Sequence, residues 1–122
     1  MSPELKVKVE RLCEVLTKAT HKQWKHTRGK TSHTYSVGQK YIRIISCEHG
    51  DSRSVWGFIA KKDFEVINKL RKGNPSISFK EGDILKSAGW KTPALNAPRG
   101  NILEGYEIPP NSTRIYGPDY LI

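Results

Sequence analysis

The stretch Tyr35-Ser-Val-Gly-Gln-Lys-Tyr-Ile-Arg-Ile-Ile-Ser-Cys47, followed after the turn-rich Glu48-His-Gly-Asp51 by Ser54-Val-Trp-Gly-Phe-Ile-Ala60, decides the fold class. β-Branched and aromatic residues dominate both runs and turn formers separate them, which predicts an antiparallel hairpin. Alternation puts Tyr41, Arg43, Ile45 and Cys47 on one side of the first strand and Ile42, Ile44 and Ser46 on the other. The pattern alone leaves open which side faces the core. If Ile42 and Ile44 pack inward, Ile45 lies outward beside Tyr41 and Arg43 and needs a partner or a second layer.

Working outward, residues 3–20 carry Leu5, Val9, Leu12, Leu16 and Ala19 at alternating spacings of four and three, one apolar stripe of a helix. Ser2 suits the N-cap, Pro3 the first helical position and Glu4 the positive end of the dipole. The opposite face holds Lys6, Lys8, Arg11, Lys18 and Lys22, a pattern that fits a solvated surface or a phosphate-tracking one. The segment 21–33 reads as a polar, basic connector. Beyond the hairpin, Asp63 is placed to cap a short helix with Phe64, Ile67 and Leu70 on one face and a stop at Gly73. Short strands are expected at 76–79 and 83–86, joined by Lys80-Glu-Gly-Asp83, and at 102–108 and 113–116. Residues 89–101, with two prolines and no period, read as an extended ordered loop. The expected fold is α+β: a single domain over 1–122 in which the N-terminal helix (3–20) packs on a small bent antiparallel sheet or partly open β-barrel (34–116).

Composition narrows the function classes. A chain of 122 residues with 36% hydrophobic content suits one domain with a modest core. It has no apolar run near the roughly 20 residues of a membrane span. The opening Met1-Ser-Pro-Glu-Leu-Lys6 lacks an apolar signal core, so a soluble, non-secreted protein is expected. Cys13 and Cys47 form no CxxC pattern, which leaves no basis for a disulfide framework or a four-cysteine zinc site, and buried reduced thiols are expected. The net charge is +9, with 20 basic and 9 acidic side chains in residues 1–100 against 1 and 3 in 101–122. That balance favours a polyanionic partner, nucleic acid above all.

The residues that would carry such binding are aromatics interleaved with cations. Trp24 lies among Lys25, Arg28 and Lys30, Tyr41 is two residues from Arg43 and so on its face of a strand, and Arg53 precedes Trp56. In the 89–101 loop, Trp90, Lys91 and Arg99 sit on a backbone stiffened by Pro93 and Pro98, a combination that suits base stacking with phosphate pairing. Each has a plainer reading, in which Trp90 plugs a core gap and the Tyr41 row dresses the outer sheet face. His21, His26, His33 and His49 show no metal-ligand spacing, and nothing in the pattern fixes two imidazoles across one phosphate for metal-free RNA cleavage. Gly73-Asn-Pro75 and Arg99-Gly-Asn101 are turns, not phosphate-cradling motifs, and there is no P-loop or dinucleotide fingerprint. No catalytic residue, metal or cofactor is therefore assigned, and enzyme activity is not expected.

Val55-Trp-Gly-Phe-Ile59, Phe79-Lys-Glu-Gly-Asp-Ile-Leu-Lys-Ser-Ala-Gly-Trp90 and Pro93-Ala-Leu-Asn-Ala-Pro-Arg-Gly-Asn-Ile102 together resemble a block found in small, uncharacterised proteins of tailed bacteriophages. In those proteins the first strand runs more directly into the F-x-x-G-D segment, so residues 63–74 read as an insertion. The resemblance implies phage origin and a place in the host bacterium's cytoplasm, and it carries no catalytic residue. The expected function is non-enzymatic binding of RNA or single-stranded DNA. The alternative is a phage effector that inhibits or redirects a host protein, for which the same tryptophans would be interface anchors. Monomer and homodimer remain equally open.

Overall fold

Ser2 starts the first helix as expected: its Oγ accepts the Leu5 amide at 3.2 Å and its carbonyl the Lys6 amide at 3.0 Å. In the computed structural model α1 runs Pro3–Gln23, past the expected end near Thr20. The structure describes residues 1–23, 31–48, 51–67, 72–73, 76–95, 97–108 and 117–118, without the side chains of Gln23 and Arg53. The expected strand at 113–116 lies outside them. The apolar stripe is the buried face of α1, with Leu5, Val9 and Leu16 fully shielded and Leu12 and Cys13 nearly so. Lys6, Lys8, Arg11, Lys18 and Lys22 are exposed, and Lys18 pairs with Glu14 one turn back at 2.8 Å.

Three strands follow as an antiparallel meander: β1 (Thr31–Val37), β2 (Tyr41–Glu48) and β3 (Asp51–Ala60). The expected run 35–47 is thus two strands broken at Gly38-Gln-Lys40, and Thr31–His33, expected in the connector, begin β1. β6 (Ile84–Leu85) adds to β3 through Phe58↔Leu85 and Ile59↔Ile84, giving the order β1-β2-β3-β6 in a sheet that does not close into a barrel.

Ile42 and Ile44 face α1 and form one core with Trp56, Ile59, Ile84 and Ile102. The pairing shifts between Ile44↔Gly57 and Ile45↔Val55, which leaves Trp56 as the extra residue of a bulge, and shifts again between Ser46 and Cys47. Bulges bend a strand and sharpen its twist. This one lets Trp56 join the helix-side core while Val55 belongs to the other side.

The second layer comes from a segment expected to be helical. Residues 64–67 form β4 (Phe64–Ile67), which pairs with β5 (Ser76–Phe79) in a separate two-stranded sheet. Phe64 and Ile67 fit a helical face on paper, but burial follows a period of two: Phe64 and Val66 are half-buried, and Ile67 is 58% exposed. Phe64 stacks on Phe79 with centroids 4.8 Å apart, a cross-strand pair that a helix would forfeit. Asp63 caps no helix; its Oδ1 accepts the Glu81 amide at 2.8 Å. The expected strands 76–79 and 83–86 therefore belong to different sheets. Phe58, Phe79 and Leu85 form the buried centre of this outer core, with Tyr41, Val55, Phe64, Val66, Ile77 and Leu95 around them.

Residues 102–108 are not a strand. Ile102–Glu104 make a 3-10 turn capped by Asn101, whose Oδ1 accepts the Leu103 amide at 2.8 Å. Asn101 is also the clamp of the long loop. Its Nδ2 donates to the Glu81 carbonyl and to Asp83 Oδ1, both at 2.9 Å, while Asp83 Oδ2 accepts the Lys80 amide at 2.8 Å. Gly82 (φ 88°) and Gly100 (φ 143°) sit in left-handed regions on either side of this clamp, and a Cβ on Gly100 would lie 2.5 Å from the Tyr106 ring. No helix among the described residues is long and apolar enough to cross a membrane.

Candidate nucleic-acid interface

Proline and polar residues shape the loop after β6 into a hairpin-like excursion. The Ala94 amide bonds the Lys86 carbonyl at 2.7 Å, Ser87 bridges Pro93, and the Ala88 amide bonds the Thr92 carbonyl at 2.9 Å. Gly89-Trp-Lys91 is left as the tip. Pro93 is buried at the base, whereas Trp90 is 42% exposed, so this tryptophan does not plug a core gap. The chain then returns beside β6, where the Arg99 amide donates to the Ile84 carbonyl at 2.7 Å.

The tip meets the outer face of β2. Arg43, opposite Phe58 in the ladder, holds its guanidinium 5.8 Å from the Trp90 ring centroid. A cation over an indole face is attractive by about 0.5–2 kcal/mol, more when desolvated. Arg43 Nε is buried and has no hydrogen-bond partner. An unmet buried donor costs about 1–3 kcal/mol, so the cation–π contact is purchased at a loss elsewhere.

Beside this pair the β1–β2 turn is tied down at three points. The Gly38 amide bonds the Tyr41 carbonyl at 2.8 Å, Lys61 Nζ donates to the Gly38 carbonyl at 2.8 Å, and the Lys61 amide bonds the Lys40 carbonyl at 3.1 Å. A cleft of about 270 Å3 lies here, lined by the turn residues Ser36–Tyr41 with Arg43, Phe58 and Lys91. None of its walls is acidic, and Lys40, Arg43, Lys61 and Lys91 make no ion pair with any described carboxylate.

Of the residues expected from sequence, Tyr41, Arg43, Trp90 and Lys91 come together here. Tyr41 does so as support rather than as a platform. Its ring is held edge-on by Phe58 and Phe64, with centroids 6.1 and 5.8 Å away, and burial pushes its hydroxyl up from the usual tyrosine value. Arg99 folds back on its own loop, Nε donating to the Ala97 carbonyl at 3.3 Å, and is not part of the cleft wall. Trp24, Lys25, Arg28, Lys30 and the Arg53 side chain lie outside the described residues. Lys40, which the sequence groups with Tyr41 and Arg43 as another cation interleaved with aromatics, also lines the cleft, whereas sequence reasoning missed Lys61, whose only signal is its place just after the strand that ends at Ala60.

Two other regions group side chains that could carry chemistry. A groove of about 590 Å3 between α1 and residues 102–108 is lined mainly by Val7, Leu12, Val15, Ile102 and Ile108, with Lys8, Arg11 and Glu107 giving it charges of both signs. At the far end of the helix, Thr17 Oγ1 donates to the Cys13 carbonyl and accepts the His33 amide, both at 2.8 Å. His33 is 8% exposed, its Nδ1 has no hydrogen-bond partner, and burial, reinforced by the nearby charge of His21, pulls its pKa down to about 4. Burial, then the charges of Glu10 and Cys47, pushes the Cys13 thiol up to about 12, which leaves it a poor nucleophile. Among the described residues no three His, Cys, Asp or Glu side chains are grouped to hold a metal ion.

Comparison with protein-family models, with curated proteins and with solved structures finds no match to this chain.

Proposed function

We propose that this protein binds single-stranded nucleic acid, RNA or DNA, without catalysing a reaction. One observation carries the reading: an exposed tryptophan at the tip of a braced loop stands against Arg43, beside lysines that have no described acidic partner. Stacking on an indole accepts any base, and cations beside it take the phosphates, so the arrangement suits strand binding with little sequence preference. The net charge of +9 adds long-range attraction. The likeness of residues 55–102 to tailed-phage proteins supports a setting in the cytoplasm of an infected bacterium.

Fluorescence anisotropy with a labelled mixed-sequence single strand tests this. Neutralising four to six phosphates gives a slope of log K against log salt of about −3 to −4 for single strands. Salt-independent binding, or none at low salt, removes the reading. Recovery of one stoichiometric host protein from infected cells after nuclease treatment would make Trp90 a protein-interface anchor instead.

A further inference from the structure

We infer that the cleft between the β1–β2 turn and Lys91 is a single-nucleotide subsite, in which one phosphate enters the cleft and its base stacks on Trp90. The inference rests on the nucleic-acid reading above and assigns its anchoring point.

Three features converge. The cleft holds about 270 Å3, below the range of pockets for whole drug-sized ligands, so it admits a phosphate and part of its sugar rather than a complete cofactor. Lys40, Arg43 and Lys91 line it with no acidic residue among the walls, and Lys61 stands behind the turn. Arg43 Nε, buried and lacking a partner, is a donor the fold itself leaves unused. Because that nitrogen is shielded, a phosphate oxygen reaches it only as the Arg43 side chain turns into the cleft it lines, a movement that turns an unmet donor into a charge-assisted hydrogen bond. Arg43 stands over the Trp90 ring and the residue is still 42% exposed, which leaves surface on which a base would stack. The subsite is braced before any ligand arrives. The Lys61–Gly38 bond fixes the turn, Tyr41 is wedged between Phe58 and Phe64, and the bonds at 86–94 fix the Trp90 tip.

The test is an NMR titration of the full chain with adenosine 5′-monophosphate, adenosine and inorganic phosphate, alongside oligonucleotide anisotropy. Adenosine monophosphate should shift the Trp90 indole N–H and the amides of residues 38–43 and 90–91; Trp90→Phe identifies the indole signal. Adenosine should bind about tenfold or more weakly, and phosphate alone should move residues 38–43 without the indole. The Lys40→Gln/Lys91→Gln variant, altered only at exposed positions, should keep its thermal midpoint and lose about tenfold or more in nucleotide affinity. Equal binding of adenosine and its monophosphate overturns the phosphate subsite, as do shifts confined elsewhere. If the double variant still binds oligonucleotide with the full wild-type salt slope, the subsite falls and the nucleic-acid reading stands. If the wild type binds no oligonucleotide, both fall.

Discussion

Acidification should loosen this fold through one histidine. His33 lies in β1 opposite Ser46, faces Thr17 of α1, and is buried with its pKa drawn from 6.5 to about 4. Burial is the larger cause and the charge of His21 the smaller. The unfolded chain therefore binds a proton between these two values that the folded chain refuses. The stabilisation is complete above about pH 6.5, falls as pH drops, and is exhausted near pH 4. The full difference is about 3 kcal/mol, with about 1.4 kcal/mol gone by pH 5.5 and about 2.6 kcal/mol by pH 4.5. For a domain of this size that is a large share of the total.

Urea denaturation at closely spaced pH values between 7.5 and 4, for the wild type and His33→Gln, reads the effect. Carboxylate titration acts on both chains alike, so the difference in their pH slopes isolates His33. The wild type should lose about 3 kcal/mol more than the variant across that range, whatever the variant's stability at neutral pH. His21→Gln should shift the loss to lower extent, since one source of the depressed pKa is gone. Parallel pH profiles for wild type and His33→Gln would refute the argument and mean that His33 reaches solvent when protonated.

Leu16→Ala, which empties a fully buried position at the centre of the helix–sheet core, should cost about 2–5 kcal/mol in urea midpoint analysis. Asn101→Ala removes three hydrogen bonds and leaves the buried Asp83 carboxylate with a single backbone donor, which should cost about 2–3 kcal/mol and expose the 86–101 loop to proteolysis.

The helix was legible because its evidence is local. Leu5, Val9, Leu12 and Leu16 repeat at the period of the structure they form, and Ser2 stands where a cap belongs. Residues 64–67 were not, because Phe64 and Ile67 satisfy a helical spacing while Phe64 and Val66 satisfy a strand's. Only the ring of Phe79, fifteen positions along the chain, decides between them. The Trp56 bulge is equally silent in the sequence, since it arises from the register of a partner strand. The Gly82-Asp83 and Gly100-Asn101 pairs are likewise the two halves of one clamp, joined by Asn101 Nδ2 to Asp83 Oδ1, which anchors the long loop and which no local pattern announces.

The same geometry explains why the proposed interface lies where it does. Period two put Tyr41 and Arg43 on one face, but no local pattern could bring Trp90 to Arg43 across the fold. The inner sheet face is sealed by α1, and the β4–β5 layer packs against Tyr41, Val55, Phe58 and Leu85 on the outer one. Arg43 falls at the margin of that outer layer, half-buried, where the apolar cover gives way to the β1–β2 turn. A cation there is dry enough for its contact with Trp90 to count, and its side chain also lines the cleft. The apolar layer that stabilises the sheet therefore also sets the local dielectric of the site at its edge, and weakening that layer should weaken binding without touching a binding residue. Phe64→Leu, which removes the ring packed against Tyr41 yet keeps an apolar side chain, should leave the chain folded and lower oligonucleotide affinity by about two- to tenfold; unchanged affinity would show that the outer layer and the cleft are energetically separate.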